Sequence, residues 1–298
     1  MKKLNLIAIL TAGLLASCSG SDDTVDRTTV TLESVTRLEQ LPADSEYQVW
    51  LVSGGENISM GRFRKLNNGQ KFSALTGQVD NASGIKVSIE PGNDPSPEIS
   101  NTVILSGNFN GNSADLTIEG SLGSFSNASG VFTLWTPTDD NANNNQNGVW
   151  FLRPNSGNPQ AGLNLPTLPE GWRYEGWVET TNASNQTILL STGKFRSPSG
   201  KDSSPAFSAT DNDAPLFPGE DFVNMTILSV PGFGFNNPPD LRSERIFISV
   251  EPFPDFDDTK PFVVQPLVNP AASNGLYPET QGMDLNTLSF PRAVVSRQ

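Results

Sequence analysis

Beyond an apolar run at the N-terminus, hydrophobic positions recur in short alternating stretches rather than at helical spacing. Such stretches fall at 29–35, 47–52, 85–90, 102–105, 116–119, 130–135, 149–152, 174–178, 188–190, 246–251 and 262–264, and turn residues bound most of them. In one of them Ile85, Val87 and Ile89 share a face while Lys86 and Ser88 share the other, as the two-residue period of a strand requires. No later window holds apolar residues at i, i+3, i+4 and i+7 for three turns without meeting Gly, Pro or an Asn cluster. Short strands with a turn signal about every ten residues predict an all-β chain of β-sandwiches.

The pattern occurs twice. Leu41-Pro42 and Tyr47-Gln48-Val49-Trp50 match Leu168-Pro169 and Tyr174-Glu175-Gly176-Trp177 at an offset of 127. Gly61-Arg62-Phe63-Arg64 matches Gly193-Lys194-Phe195-Arg196 at 132, and the strand Ile85 to Pro91 matches Ile246 to Pro252 at 161. Preserved order with a growing offset predicts two tandem copies of one domain, over 29–124 and 125–298, with an insertion at about 197–245 in the second. Prolines at 198, 205, 215, 218, 231, 238 and 239 bar a central strand or a long helix from that insertion. Its Phe207, Phe217, Phe222, Phe233 and Phe235 predict that it is packed down. Trp50 and Trp177, flanked by Val49, Leu51 and Val178, are expected to face the core of each sandwich.

Composition narrows the chemistry. The 298 residues include no His and one Cys, so His-based metal sites, Ser–His and Cys–His nucleophile pairs and structural disulfides are excluded. A formal charge of −13 argues against a nucleic-acid partner. Gly and Pro are abundant at 26 and 23, yet 17 Phe and 5 Trp are too many for a disordered chain. No cofactor is expected.

The N-terminus reads as an address. Met1-Lys2-Lys3 is followed by an apolar run over 4–16, shorter than the roughly 20 residues of a membrane span and of the size of a secretory h-region. It ends in Leu15-Ala16-Ser17-Cys18, which resembles the bacterial lipobox, where cleavage precedes a Cys that receives lipid. The expectation is a signal peptide over 1–17, lipidation at Cys18, a flexible tether over 18–28, and membrane attachment through the acyl chains. The alternative is an ordinary signal peptide with a chance Cys. Ser19-Gly20-Ser21-Asp22-Asp23 resembles the acidic signal that sends Bacteroidota lipoproteins to the outer face of the outer membrane; its alternative is a generic solvated tether.

Leu-Pro before Tyr-x-x-Trp, then Gly-x-Phe, then a strand ending in Glu-Pro and an Asp/Pro-rich turn over 92–97 resembles the extracytoplasmic C-terminal domain of anti-sigma-K factors. The likeness spans roughly 29–120 and 131–270. It is closer in the first stretch, where Val103-Ile104-Leu105-Ser106-Gly107 also fits; the second has Val263-Val264-Gln265-Pro266-Leu267. Such factors carry a cytoplasmic helical domain and a membrane-spanning helix, which this sequence does not match. The resemblance therefore implies an envelope domain of sensing or interaction type, with no catalytic residues to carry over.

Candidate chemistry is sparse. Glu90 and Glu251 recur in both halves, but a glycosidase needs two carboxyls roughly 5–10 Å apart, and a strand-end Glu before Pro reads as structural. Asp139, Asn141 and Asn143 place oxygens at alternating positions as a calcium loop would, though positions six and twelve are Asn144 and Trp150 instead of Gly and Glu; a polar hairpin loop explains them equally. Asp255, Asp257 and Asp258 are weaker metal candidates. Trp172, beside Gly171, is the best aromatic for stacking on a sugar, against packing at the domain junction. The leading expectation is a non-enzymatic, surface-exposed outer-membrane lipoprotein in envelope interaction or signalling, its partner an envelope protein or a glycan. Glycan binding and carboxylate-dependent hydrolysis are the competitors.

Overall fold

A computed structural model describes residues 26–139, 141, 143–203, 206–209 and 214–298. The expected signal peptide and Cys18 lie outside the described residues. The first strands are β1 (Arg27–Thr36), β2 (Ser45–Ser53), β3 (Glu56–Phe63), β4 (Gln70–Leu75), β5 (Ala82–Pro91), β6 (Val103–Asn110) and β7 (Ser113–Thr117). Then come β8 (Ser129–Leu134), β9 (Gly148–Trp150), a small hairpin of β10 (Leu152–Arg153) and β11 (Gln160–Ala161), and β12 (Leu163–Asn164). The remainder are β13 (Trp172–Thr181), β14 (Thr187–Phe195), β15 (Gly219–Asp221), β16 (Arg245–Pro252), β17 (Leu267–Asn269), β18 (Gln281–Leu285) and β19 (Arg292–Arg297). Helix is confined to short turns such as α1 (Thr76–Asp80), α2 (Glu119–Leu122) and α3 (Met225–Leu228). The all-β, two-domain reading holds.

The strands form two large sheets. The first runs β3-β2-β5-β6-β7-β19-β1-β4; the second runs β14-β13-β16-β17-β18-β8-β9-β15, with β12 beside β8. Each curls until its edge strands, β3 and β4 or β14 and β15, come alongside one another, so both sheets are nearly closed.

The two orders correspond position by position, with one crossing. The place between β7 and β1 in the first sheet is filled by β19, from the far end of the chain. The corresponding place between β18 and β9 is filled by β8, which directly follows the first seven strands. Each group of strands thus donates its last strand to the other sheet. The linkers cross where Phe125 and Phe290 pack, ring centroids 5.6 Å apart. The expected domain span of 125–298 therefore needs a correction at its end: β19 pairs with β1 and β7. The reason is hydrogen bonding, since β1 and β7 would otherwise leave ladder groups unpaired. Arg297 clamps the strand by donating to Val79 O (2.7 Å) and Ala82 O (3.0 Å) and lies over the Phe109 ring at 4.4 Å.

Shared local devices support the shared order. The pairing slips by one residue at Val49/Trp50 against β3 and at Gly176/Trp177 against β14. Gly61 and Gly193 sit at these bulges with φ of +124° and +98°, a region L side chains avoid. Tyr47 donates its hydroxyl to Glu39 O (2.9 Å), and Tyr174 donates to Pro166 O (2.6 Å).

Ile85, Val87 and Ile89 are buried as expected, with Ile246, Ile248 and Val250 in the matching strand. The insertion is packed down: Phe207, Phe222 and Phe235 are buried, and Phe207 meets the rings of Phe222 and Phe233 at 5.4 and 5.3 Å. It supplies edge strand β15 and the turn α3, capped by the Asn224 side chain accepting from Thr226 N (3.1 Å).

Trp50 and Trp177 are buried but do not face the apolar core. Cross-strand pairing of Gln48 with Ser88 and Trp50 with Lys86 sets Trp50 on the face opposite Val49 and Leu51, by simple alternation. That outer face is covered by the β5–β6 connection. Arg62 ties the connection down by donating to Asp94 O (3.1 Å), and Ser100 N donates to Glu90 (3.1 Å).

Candidate functional site

Under this cover each sheet carries the same relay. Trp50 Nε1 donates to Ser88 Oγ (2.8 Å), Ser88 donates to Glu90, and Glu90 accepts the Ser100 amide. In the second sheet Trp177 Nε1 donates to Ser249 Oγ (2.9 Å), Ser249 donates to Glu251, and Glu251 accepts the Phe262 amide (2.9 Å). The relay pins the connecting loop to the strand ends. This agrees with the structural reading of Glu90 and Glu251, which belong to different sheets.

Around the relay the two sheets diverge. In the first, the neighbours are Gln48 and Arg62, with Arg62 Nε donating to Gln48 Oε1 (2.7 Å) and Gln48 Nε2 donating to Ser59 Oγ (2.8 Å). In the second, the matching positions hold Glu175 and Lys194. Lys194 Nζ lies 3.2 Å from Glu175, 3.1 Å from Asp255 and 2.7 Å from Asp258. Carboxylate oxygens of Glu175, Glu251 and Asp255 come within 4.8 Å of one another. Burial pushes Glu251 up to about 8, with the charges of Glu175 and Asp255 adding to the rise and the Ser249 bond opposing it. Burial likewise raises Glu175, against the Ser191 bond and the Lys194 charge. For Lys194 burial acts downward, but the acids prevail and its ammonium is held above the usual range.

Three acids so close form the one set of metal-ligand type among the described residues, and the Lys194 ammonium already supplies their cation. A close set of acids of the kind a carboxylate-dependent hydrolase would need is thus present, as Glu175, Glu251 and Asp255, and burial raises the two glutamates. Glu175 and Glu251 are only 2% and 1% exposed and engaged as described.

A cleft of about 750 Å³ opens beside this cluster, between the two sheets. Arg37, Leu41 and Arg64 line it from the first sheet's side; Asp255, Phe256 and Lys260 line it from the second's. Leu288, 75% exposed, stands at its rim. A pocket of this size, its walls divided between apolar side chains and seven of charged type, has the form of a ligand or segment site.

Other sequence candidates fall elsewhere. Trp172 begins β13, is 1% exposed and packs on Phe262 at 6.1 Å. Its indole presents no face to a sugar, and the stacking expectation is corrected. Asp139, Asn141 and Asn143 lie in successive Asx turns: Asp139 Oδ1 accepts from Asn141 N and Asn141 Oδ1 from Asn143 N, both at 3.1 Å. That local bonding is what a polar hairpin loop needs. Asp255 and Asp258 join the Lys194 cluster, while Asp257 caps its own turn through Thr259 N (3.1 Å).

Sequence reasoning missed Glu175 and Lys194, although the repeat alignment carried a signal: Gln48 to Glu175 adds a negative charge at a matched position, while Arg62 to Lys194 keeps the charge and exchanges a guanidinium for an ammonium. It also missed Glu220 and Asp221 on β15. Burial raises both, to about 8 and about 6, with Ser208 bonding Glu220 and Thr138 and Trp150 bonding Asp221.

Residues 10–102 match the family described as anti-sigma-K factor rskA, C-terminal. The match reaches from the apolar N-terminal run to the loop before β6, a minority of the chain. It ends before 131–270, where the likeness rests on sequence motifs and strand order. No curated protein and no solved structure matches the chain.

Proposed function

We propose that this protein is a non-enzymatic lipoprotein, anchored through Cys18 at the outer-membrane surface, that acts in envelope interaction or signalling. Its two sheets are read as tandem copies of one anti-sigma-K-like extracytoplasmic domain, tied together by exchange of their last strands. The family match over 10–102 supports a regulatory or envelope-signalling role, and Leu15-Ala16-Ser17-Cys18 supports the anchor. The observation that carries the reading is the cleft of about 750 Å³ to which both sheets contribute walls. Because the crossed strands fix the sheets to each other, such a cleft is preformed, which limits the ordering needed on binding.

The test is a photo-crosslinking residue in place of Leu288 in the lipidated protein in cells, followed by mass spectrometry. Capture of one dominant envelope protein is expected. A crosslinked product that is polysaccharide, or no product with the protein abundant at the surface, overturns the protein-partner reading. Separately, Cys18→Ser is expected to release the chain from the membrane fraction; retention there refutes the lipid anchor.

A further inference from the structure

A second cavity between the sheets, about 610 Å³, has a different character. Its lining includes Arg173 of β13, Arg196 just beyond β14, and Phe253. Tyr174 pairs with Phe195, so Arg173 and Arg196 flank that pair as cross-strand neighbours of like charge, an arrangement that destabilises a sheet. Around the corresponding Tyr47–Phe63 pair of the first sheet the residues are Glu46 and Arg64, of opposite charge.

Among the described residues neither guanidinium is neutralised by an ion pair. Arg173 donates to Trp172 O (2.8 Å) and lies over the Phe253 ring at 4.2 Å. Arg196 is exposed and makes no hydrogen bond or ion pair among the described residues. Burial, then the charge of Arg196, holds Arg173 below its usual range, with Glu170 acting against them. Glu170 and Asp44 are the acids of the lining, both exposed. Phe253 is 47% exposed, and Ile89 and Pro254 extend the apolar wall beside it. Two planar forks at one mouth match the oxygens of a carboxylate or phosphate.

We propose that Arg173 and Arg196 form a binding site for an anionic group, a carboxylate or phosphate, whose apolar body rests on Phe253. The site adjoins the larger cleft, with which it shares Phe256, and does not depend on the envelope reading. An anion between the two forks relieves the like-charge contact that the unliganded sheet tolerates.

The experiment uses the full chain carrying Cys18→Ser, with inorganic phosphate and sodium benzoate as probes against chloride at matched ionic strength. Calorimetric titration and thermal unfolding are read together. Saturable binding of at least one probe is expected, with a rise in Tm that chloride does not give; benzoate preference identifies a carboxylate ligand and phosphate preference a phosphoryl one. Arg196→Gln, at an exposed position, is expected to weaken binding at least tenfold. Arg173→Glu, which restores the charge pattern of the first sheet, is expected to abolish binding while raising Tm in the absence of probe. No saturable binding of either probe overturns the proposal, and so does unchanged affinity in Arg196→Gln, which remains decisive if Arg173→Glu fails to fold.

Discussion

The two sheets solve one architectural problem with different chemistry. Both cover the outer face of their central strands with a loop and hold it by a Trp–Ser–Glu–amide relay. In the first, the flanking pair is Gln48 with Arg62, so one charge is held by a neutral amide and two loop carbonyls. In the second, Lys194 stands among Glu175, Asp255 and Asp258, and Glu251 lies beside them. A neutral acceptor loses one hydrogen bond when its donor is removed, whereas buried carboxylates lose the charge that makes their ionisation tolerable. The loop of the second sheet, which walls the larger cleft, is therefore the more sensitive to charge and pH.

The sharpest way to break the comparison is at the crossed strands. β8 buries Phe132 and Leu134 in the second sheet, while β19 buries only Ala293 and Val295 in the first. Removing 291–298 exposes the ladders of β1 and β7 together. The expected loss is about 5 kcal/mol or more from ladder bonds and apolar burial. Hydrogen exchange should show protection lost in β1 and β7 and kept in β13 and β16; equal protection throughout contradicts the assigned exchange.

Next in size is the flanking cation. Lys194→Ala is expected to destabilise by about 2–4 kcal/mol, below the full penalty for a broken buried pair because Asp258 is exposed to solvent. Arg62→Ala is expected to lose about 1–2 kcal/mol. Denaturant unfolding of the two variants checks the order, and equal losses would erase the distinction between the sheets.

The pH dependence sharpens the same comparison. Glu251 is raised to about 8 in the folded chain, above an unfolded value of about 4.3. Between these values the folded state keeps a proton that the unfolded state has released, so stability falls as pH rises through this window. Glu251→Gln is expected to flatten that part of the profile of Tm against pH, and a profile identical to that of the unsubstituted chain contradicts the assignment. Smallest are Ser88→Ala and Ser249→Ala, each expected to lose about 1 kcal/mol by orphaning an indole N–H and shortening the relay; a difference between them would locate uneven strain in the two loops.

Strand identity was legible along the chain because alternation is local: Ile85, Val87 and Ile89 bury their side chains wherever the strand is placed. The Gly-x-Phe motif was legible as a repeated feature, and the bulge it marks explains the glycine, since a positive φ selects glycine regardless of what packs nearby. The matched segments also announced two related halves. What the chain could not disclose were choices between distant partners. The alternation that set Ile85 inward set Trp50 outward, and only a covering loop many residues away made that outer position a buried one. Trp172, for which the sequence left stacking and packing both open, is buried with Phe262, some ninety residues along the chain, against it. Glu175 and Lys194 read as an ordinary strand pair until the loop carrying Asp255 and Asp258 folded over them. The destination of β19 was the least legible of all. Its short apolar pattern fits either sheet, and hydrogen-bond closure between β1 and β7 decided which one it joined.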